Sequence, residues 1–152
     1  MSKRLVLVVA VVLMVGMVVG VTMAVGQGSS DDDSLTARLS GSQESPAGDT
    51  DGKGTAAVVI EGRKVCLALA FGNLDTVAAA HIHKGARGKN GPIVVDPKFS
   101  GGRSGAANTL GRCVTVAQSL AADIKRNPGN YYANVHTAKF PAGAIRGQLS
   151  RR

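Results

Sequence analysis

The chain has 152 residues, with 18 Lys and Arg against 10 Asp and Glu, so its formal net charge is +8 and its length predicts one domain. The basic residues are scattered, Trp is absent and aromatic residues make up only 3% of the chain, which argues against nucleic-acid binding. Net charge alone names no partner, because it also serves simply to keep a domain soluble.

The N-terminal 26 residues read as a targeting segment. MSKR is followed by an uncharged, largely apolar run at residues 5–25, which predicts either a signal peptide or a membrane anchor. The run is long enough to span a bilayer, whereas Ala24-Val25-Gly26 offers small residues for cleavage before Gln27, and both alternatives stay open. Basic residues precede the run and acidic residues follow it. We therefore expect the rest of the chain to be secreted or anchored at the extracytoplasmic face of the membrane.

Residues 27–33, QGSSDDD, are typical of a flexible linker, which leaves residues 34–151 as the folded domain. Without residues 1–26 the remainder carries 16 Lys and Arg against 10 acids, a net charge of +6. Leu35, Ala37 and Leu39 then alternate with polar residues, which predicts a half-buried strand. A long loop rich in Gly, Ser, Asp and Pro follows at residues 40–54.

A hairpin is predicted next, from residues 55–60 and 64–71 around a Glu61-Gly62-Arg63 turn. Both faces of its second strand are apolar, which predicts a central strand buried on both sides. Further strands are predicted at 77–83, 92–95, 106–110, 113–116, 131–137 and 144–150, and one helix at 119–126 with Ser119 as its cap. The pattern predicts an all-β fold, an antiparallel sandwich or barrel of immunoglobulin or superoxide-dismutase type with one short helix.

The two cysteines, Cys66 and Cys113, predict a disulfide, because an even cysteine count in an exported chain favours pairing. Two separate buried thiols are the alternative.

The three histidines are the strongest candidates for chemistry. His81 and His83 stand at i and i+2 on a predicted strand, so both imidazoles point to one face while Ile82 points to the core. His136 lies on a distant predicted strand, on the same face as Tyr132 and Asn134. If the two strands are neighbours, the three histidines form a site suited to copper or zinc with an open position. The alternative is a set of histidines that only make structural hydrogen bonds.

Other chemistry has little support in the sequence. The glycine-rich stretch from Gly85 to Gly91 lacks the spacing of a phosphate-binding loop and is better explained as a strand connection, although its cations leave anion contact as an alternative. There is no G-x-S-x-G motif for a nucleophilic serine, and no close pair of carboxylates on a predicted strand or helix for glycoside hydrolysis. We therefore expect no catalytic residues.

Two stretches, AHIHKGARGKNGPIVV and NPGNYYANVHTAKFPAGAIRGQL, closely resemble the chordin (CHRD) domain family. The likeness extends from about residue 34 to residue 149 and implies a β-rich domain that acts outside the cytoplasm, with no generally established enzymatic activity. The family motif maps onto the following residues: His81, His83, Gly85, Gly91, Pro92, Tyr132, His136, Phe140, Pro141, Gly143, Arg146 and Gln148. A looser similarity links the three histidines to copper–zinc superoxide dismutase, although that enzyme's zinc-site and bridging histidines have no counterparts here.

Arg146 stands among apolar residues of the last predicted strand, and a buried guanidinium needs a carboxylate or several carbonyls. We expect a structural role for it, with Asp96 or Asp75 as its partner.

The resulting hypothesis is an exported or membrane-anchored CHRD domain that acts as a non-enzymatic binding or structural module at the cell surface. Its partner would be an extracellular protein, a glycan or an anionic cell-envelope polymer, and residues 5–25 would hold it to the membrane if they are not cleaved. The alternative is a mononuclear copper or zinc site at His81, His83 and His136 with a metal-handling or redox role.

Overall fold

The computed structural model describes residues 34–99 and 108–152. The signal peptide or anchor predicted at 1–26 and the linker at 27–33 lie outside the described residues. Within the described ranges, no helix is both long and apolar enough to cross a membrane. The elements in chain order are β1 Ser34–Ser40, β2 Lys53–Glu61, β3 Lys64–Gly72, β4 Val77–Lys84, β5 Ile93–Val95, β6 Asn108–Thr115, α1 Gln118–Arg126, β7 Tyr131–Thr137, β8 Ile145–Gln148 and β9 Ser150–Arg151, with single 3₁₀ turns at Gly41–Gln43 and Pro128–Asn130.

All strands belong to one sheet in the order β5-β4-β7-β8-β1-β2-β3-β6, and β9 pairs with β1. Every pairing is antiparallel, and the sheet curls into a nearly closed barrel. The predicted all-β antiparallel class with a single short helix is confirmed. The order brings β4 next to β7, although about fifty residues separate them in the sequence.

The barrel interior is filled by the inward-facing side chains, which occur at every second position of the strands. Leu35, Ala37 and Leu39 are buried as their alternation predicts, and Ile82 of β4 is fully buried. The helix closes the core with Ala121 and Ile124, which are also fully buried. Because strand side chains alternate, the neighbours of these residues face outward, where loops cover part of the surface.

Three details differ from the sequence expectations. The β3 strand is buried on one face only, since Ala68 and Ala70 are exposed, because that part of the sheet has no second layer outside it. The two strands predicted between residues 106 and 116 are one continuous strand, β6. Ser119 does not cap α1: the helix starts one residue earlier, after Ala117, and its N-terminus has no side-chain cap.

The predicted disulfide between Cys66 and Cys113 is confirmed. The two residues lie directly opposite each other on β3 and β6, with an S–S distance of 2.02 Å and 47 residues of sequence separation. No free cysteine remains. The bond fastens the edge strand β6 to the hairpin formed by β2 and β3.

Replacing Cys66 and Cys113 together with alanine is expected to lower the free energy of unfolding by about 3–4 kcal/mol, because the unfolded chain regains the entropy of a large closed loop. Urea denaturation of the double variant and of the parent protein, with and without reductant, measures the loss. The parent in reductant should approach the variant. Equal stability of oxidised parent and variant would contradict the prediction.

Candidate metal site

The structure brings the three histidines together. His81 and His83 lie on the outer face of β4, opposite Asn134 and Tyr132 of β7, and His136 lies two residues beyond Asn134 on the same face. The ring centroids are 5.0 Å apart for His81 and His136, 5.7 Å for His81 and His83, and 5.8 Å for His83 and His136. The two strands are therefore neighbours, which is the condition that the three-histidine site required, and the three histidines share one face.

Each imidazole offers one nitrogen to a common centre. One ligand atom from each of His81, His83 and His136 lies within 4.8 Å of the other two. With metal–nitrogen bonds of about 2.0–2.1 Å, two nitrogens in a tetrahedral site lie about 3.4 Å apart. A pair of these nitrogens at the 4.8 Å limit therefore has to approach by about 1.4 Å on binding, through rotation of the imidazole rings.

The hydrogen bonds of the rings select which nitrogens face the centre. His83 Nδ1 lies 2.9 Å from the Gly91 carbonyl oxygen, and His136 Nδ1 lies 3.0 Å from that of Pro141. His81 Nε2 lies 3.7 Å from Asp96 Oδ1, which is too far for a hydrogen bond. With Nδ1 of His83 and of His136 as N–H donors, the Nε2 atoms of these two rings carry free lone pairs. These two Nε2 atoms and His81 Nδ1 are buried without a hydrogen-bond partner in the described part of the chain.

The environment keeps all three imidazoles neutral, which is the protonation state that binds metal. Burial lowers the pKa of His81 to about 4, with nearby His136 adding to the effect and Asp96 opposing it. Burial likewise lowers the pKa of His83 and of His136, against the carbonyl hydrogen bonds that raise each of them. The site therefore presents three uncharged nitrogen donors at neutral pH.

A second layer of contacts fixes the orientation of His83. Its ring stacks on Tyr132 at a centroid distance of 4.9 Å, and the Arg146 guanidinium carbon lies 4.9 Å from the centre of the Tyr132 ring. The Gly91 N–H donates to the Tyr132 hydroxyl at 3.1 Å, while the carbonyl of the same residue accepts from His83. The backbone of one glycine thus ties the tyrosine and the imidazole together. Such outer contacts set ring orientation in metal sites.

The glycine-rich connection between β4 and β5 is held by hydrogen bonds to the barrel. Gly85 N–H donates to Asn130 O at 2.8 Å, and the amide of Gln148 donates to Gly85 O at 2.8 Å. Pro92 O accepts from the Lys84 N–H at 3.0 Å, which closes the connection at its base. These motif residues shape the loop that positions His83, as expected for a strand connection.

Arg146 is buried, 3% exposed, but neither Asp96 nor Asp75 is its partner, so that expectation was wrong. Its carboxylate neighbour is Glu44, with 3.6 Å between Arg146 Nε and Glu44 Oε2. The guanidinium also donates to Gln43 O at 2.6 Å and to Asn90 Oδ1 at 2.8 Å. Asp96 is engaged by Lys98 and His81 instead. Glu44 gave no signal in the sequence, because it sits in a polar loop with no periodicity.

Glu44 is expected to make the stability of the protein depend on pH, because burial raises its pKa to about 7 against the opposing effect of Arg146. A carboxyl group whose pKa is higher in the folded than in the unfolded state takes up a proton on folding. The contribution of Glu44 to the free energy of unfolding is complete at pH values below 4.5, its pKa in the unfolded chain, and is lost as the pH rises through 7. Over that interval the contribution falls by roughly 3 kcal/mol.

Chemical denaturation of the parent and of Glu44→Gln across this pH range isolates the effect. The three histidines add a slope of the opposite sign, so the difference between the two proteins is the relevant quantity. Exposed Glu61 offers the matched control, since Glu61→Gln should leave the parent slope intact. If Glu44→Gln shows the same pH profile as the parent, the assignment to Glu44 is refuted.

A family model of the CHRD domain matches residues 35–149, nearly the whole described chain. The chain belongs to the CHRD domain family. No curated protein and no solved structure matches the chain with significance. CHRD domains are of extracellular type, and the disulfide fits an oxidising compartment. The likeness to copper–zinc superoxide dismutase stays an analogy of geometry.

Most motif residues of this CHRD domain converge on one region. His81, His83 and His136 supply the open nitrogens, and Pro141 O orients His136. The other motif residues shape the loops near the site. Six of them act through the contacts described above: Gly85, Gly91, Pro92, Tyr132, Arg146 and Gln148. Phe140 O accepts from the Gly143 N–H at 3.1 Å, and Gly143 has a φ of 143° and lies against the Glu44 carboxylate.

Proposed function

We propose that this CHRD domain binds one copper or zinc ion through His81 Nδ1, His83 Nε2 and His136 Nε2. The observation that carries the proposal is the set of three buried imidazole nitrogens that face a common centre and lack any hydrogen-bond partner in the described residues.

Energetics favour a ligand over a purely structural role. A buried polar atom without a partner costs about 1–3 kcal/mol, so three of them at one point are expensive for a fold that gains nothing from them. Histidines with only an architectural task would be expected to pair both ring nitrogens. A single metal ion engages all three lone pairs at once. Nδ1 of His83 and Nδ1 of His136 already have a backbone carbonyl as acceptor, which is typical of metal-bound histidine.

The donor set suggests which metals fit. Three neutral imidazoles suit Zn²⁺ and copper, whereas Mg²⁺ and Ca²⁺ prefer oxygen ligands. Three protein ligands leave a coordination position for water, a substrate or a donor from another protein. In an exported or membrane-anchored domain, such a site supports metal handling, and with copper it also supports redox chemistry.

The decisive experiment is the metal content of the native protein, purified without an affinity tag and without chelator. We expect close to one copper or zinc per chain by elemental analysis. The metal-free protein should take up one equivalent of one of these ions in a calorimetric titration. A protein that is empty as isolated and takes up neither ion refutes the proposal.

The second candidate is the non-enzymatic binding or structural module at the cell surface. It is supported by the disulfide-linked barrel and by a basic groove on its outer face. An extracellular protein, a glycan and an anionic cell-envelope polymer are the partners expected from the sequence. The two candidates are compatible, because the groove and the histidines use different side chains.

A further inference from the structure

A groove of about 640 Å³ opens on the outer face of the barrel, over β1, β2 and the C-terminal strands. It is lined by outward-facing residues of β1 and β2, including Thr36, Thr55 and Ala57, and by Ala37 and Ala56, whose side chains belong to the core. Its size lies within the range of small-molecule and monosaccharide-to-disaccharide sites. The groove lies beside the candidate metal site, since Gln148 lines it and also holds the β4–β5 connection.

Positive charge dominates the lining. Arg38, Arg87 and Arg152 all border the groove, and no acidic residue of the described ranges does. None of these three guanidinium groups takes part in an ion pair within residues 34–99 and 108–152. Elsewhere on this barrel basic groups do meet acids, as Lys84 meets Asp123 and Lys98 meets Asp96. The three arginines thus create an uncompensated positive field at one place.

Part of this arrangement is preorganised. Arg87 Nη1 donates to Gln43 Oε1 at 3.1 Å, and Gln43 Nε2 donates to the Arg38 carbonyl at 2.8 Å. One glutamine therefore holds the Arg87 side chain beside the β1 backbone from which Arg38 projects. A side chain that is already held loses less entropy when it binds a ligand.

The neutral lining suits a sugar. Thr36, Thr55 and Ser150 offer hydroxyl groups around the arginines. Hydroxyl groups donate and accept hydrogen bonds, as sugar hydroxyls require, while guanidinium forks match the oxygen pairs of carboxylate and phosphate. No aromatic side chain lines the groove, so it lacks the stacking platform on which single-stranded nucleic acids depend.

We propose that this groove binds an anionic glycan, a sugar polymer whose units carry carboxylate or phosphate groups, with Arg38 and Arg87 as the principal anion contacts. The proposal gives the binding-module role a site and a ligand class, and it does not rest on the histidines. The metal-site proposal and the glycan proposal can therefore be confirmed or refuted independently of each other.

The test is calorimetric binding of three soluble oligomers to the full chain at low and at physiological ionic strength: a uronic-acid oligosaccharide, a glycerol-phosphate oligomer carrying sugars, and a neutral oligosaccharide. We expect one or both anionic oligomers to bind more tightly than the neutral one, with affinity that falls as salt rises. The tighter of the two identifies carboxylate or phosphate as the natural anion. Arg38→Gln combined with Arg87→Gln should weaken binding about tenfold or more.

A control of equal net charge separates a site from general basicity. Arg63→Gln combined with Arg126→Gln removes two exposed arginines at the β2–β3 turn and at the end of α1, neither of which lines the groove, and should bind as the parent does. The proposal is overturned if neither anionic oligomer binds, if this control weakens binding as much as the groove variant, or if single-stranded DNA binds as tightly as the glycan. His136→Gln should retain glycan binding. The glycan result can therefore be interpreted even if the protein binds no metal.

Discussion

Replacing His136 with glutamine should weaken the binding of copper or zinc by about 100-fold or more, because the change removes one of three nitrogen donors and leaves two. His136 is the most informative of the three, since it alone comes from β7 and closes the site from the neighbouring strand. The measurement is competition with a chelator of known affinity, combined with the electron paramagnetic resonance spectrum of the Cu²⁺-loaded protein. The parent should show nitrogen hyperfine structure from imidazole, and the variant should show a changed spectrum.

Two controls make this result interpretable. Asp51→Asn alters an acidic loop that contains Asp49 and Asp51 and none of the three histidines, and should leave the affinity of the histidine site unchanged. Thermal unfolding with chelator present shows whether His136→Gln folds as the parent does. Metal should raise the unfolding temperature of the parent but not that of the variant, because a ligand stabilises only the state that binds it. Equal metal affinity of parent and His136→Gln would contradict the histidine site.

Gly91→Ala is expected to lower the free energy of unfolding by about 3 kcal/mol or more. A β-carbon at this position would lie 1.7 Å from the Lys84 carbonyl oxygen and 2.7 Å from its carbonyl carbon. Both atoms belong to the backbone of β4, which cannot move aside without breaking its pairing. The loop must therefore shift, and the carbonyl that orients His83 shifts with it. Metal affinity should fall together with stability.

Gly111→Ala is the matched control, because it makes the same substitution where nothing lies within 4 Å of the added carbon. Gly111 is exposed on β6, and alanine there should change stability by less than about 1 kcal/mol. Urea denaturation of both variants gives the comparison. A Gly91→Ala protein as stable as Gly111→Ala would mean that the close approach of residues 84 and 91 is not required.

Local patterns in the sequence predict much of this fold. The alternation of Leu35, Ala37 and Leu39 identifies β1, and the β-branched run before Gly62 identifies the β2–β3 hairpin. A period of two residues depends only on which face meets the core, so it can be read from neighbouring positions. The misjudged details share a cause: the apolar outer face of β3 and the helix start at Gln118 depend on what packs nearby rather than on local composition.

The candidate metal site likewise has one part that the local sequence predicts and another that depends on the tertiary structure. The spacing of His81 and His83 is sufficient to place two imidazoles on one face of a strand, because backbone geometry decides that locally. Whether His136 reaches them depends on strand order, which is a property of the closed sheet. The partner of Arg146 is equally nonlocal: Glu44 lies about a hundred residues away in the sequence and lacks any pattern that marks it as buried.

The residues alone thus establish the family, the β-rich class, the cysteine pair and the half-site on β4, all of which follow from motif or short-range geometry. Only the tertiary structure decides that β4 and β7 are neighbours, that three open nitrogens meet, and that Arg38, Arg87 and Arg152 line one groove. The physical reason is that these contacts arise when distant strands pair and loops fold over the barrel surface, and the energy of that packing belongs to the whole domain rather than to any short segment.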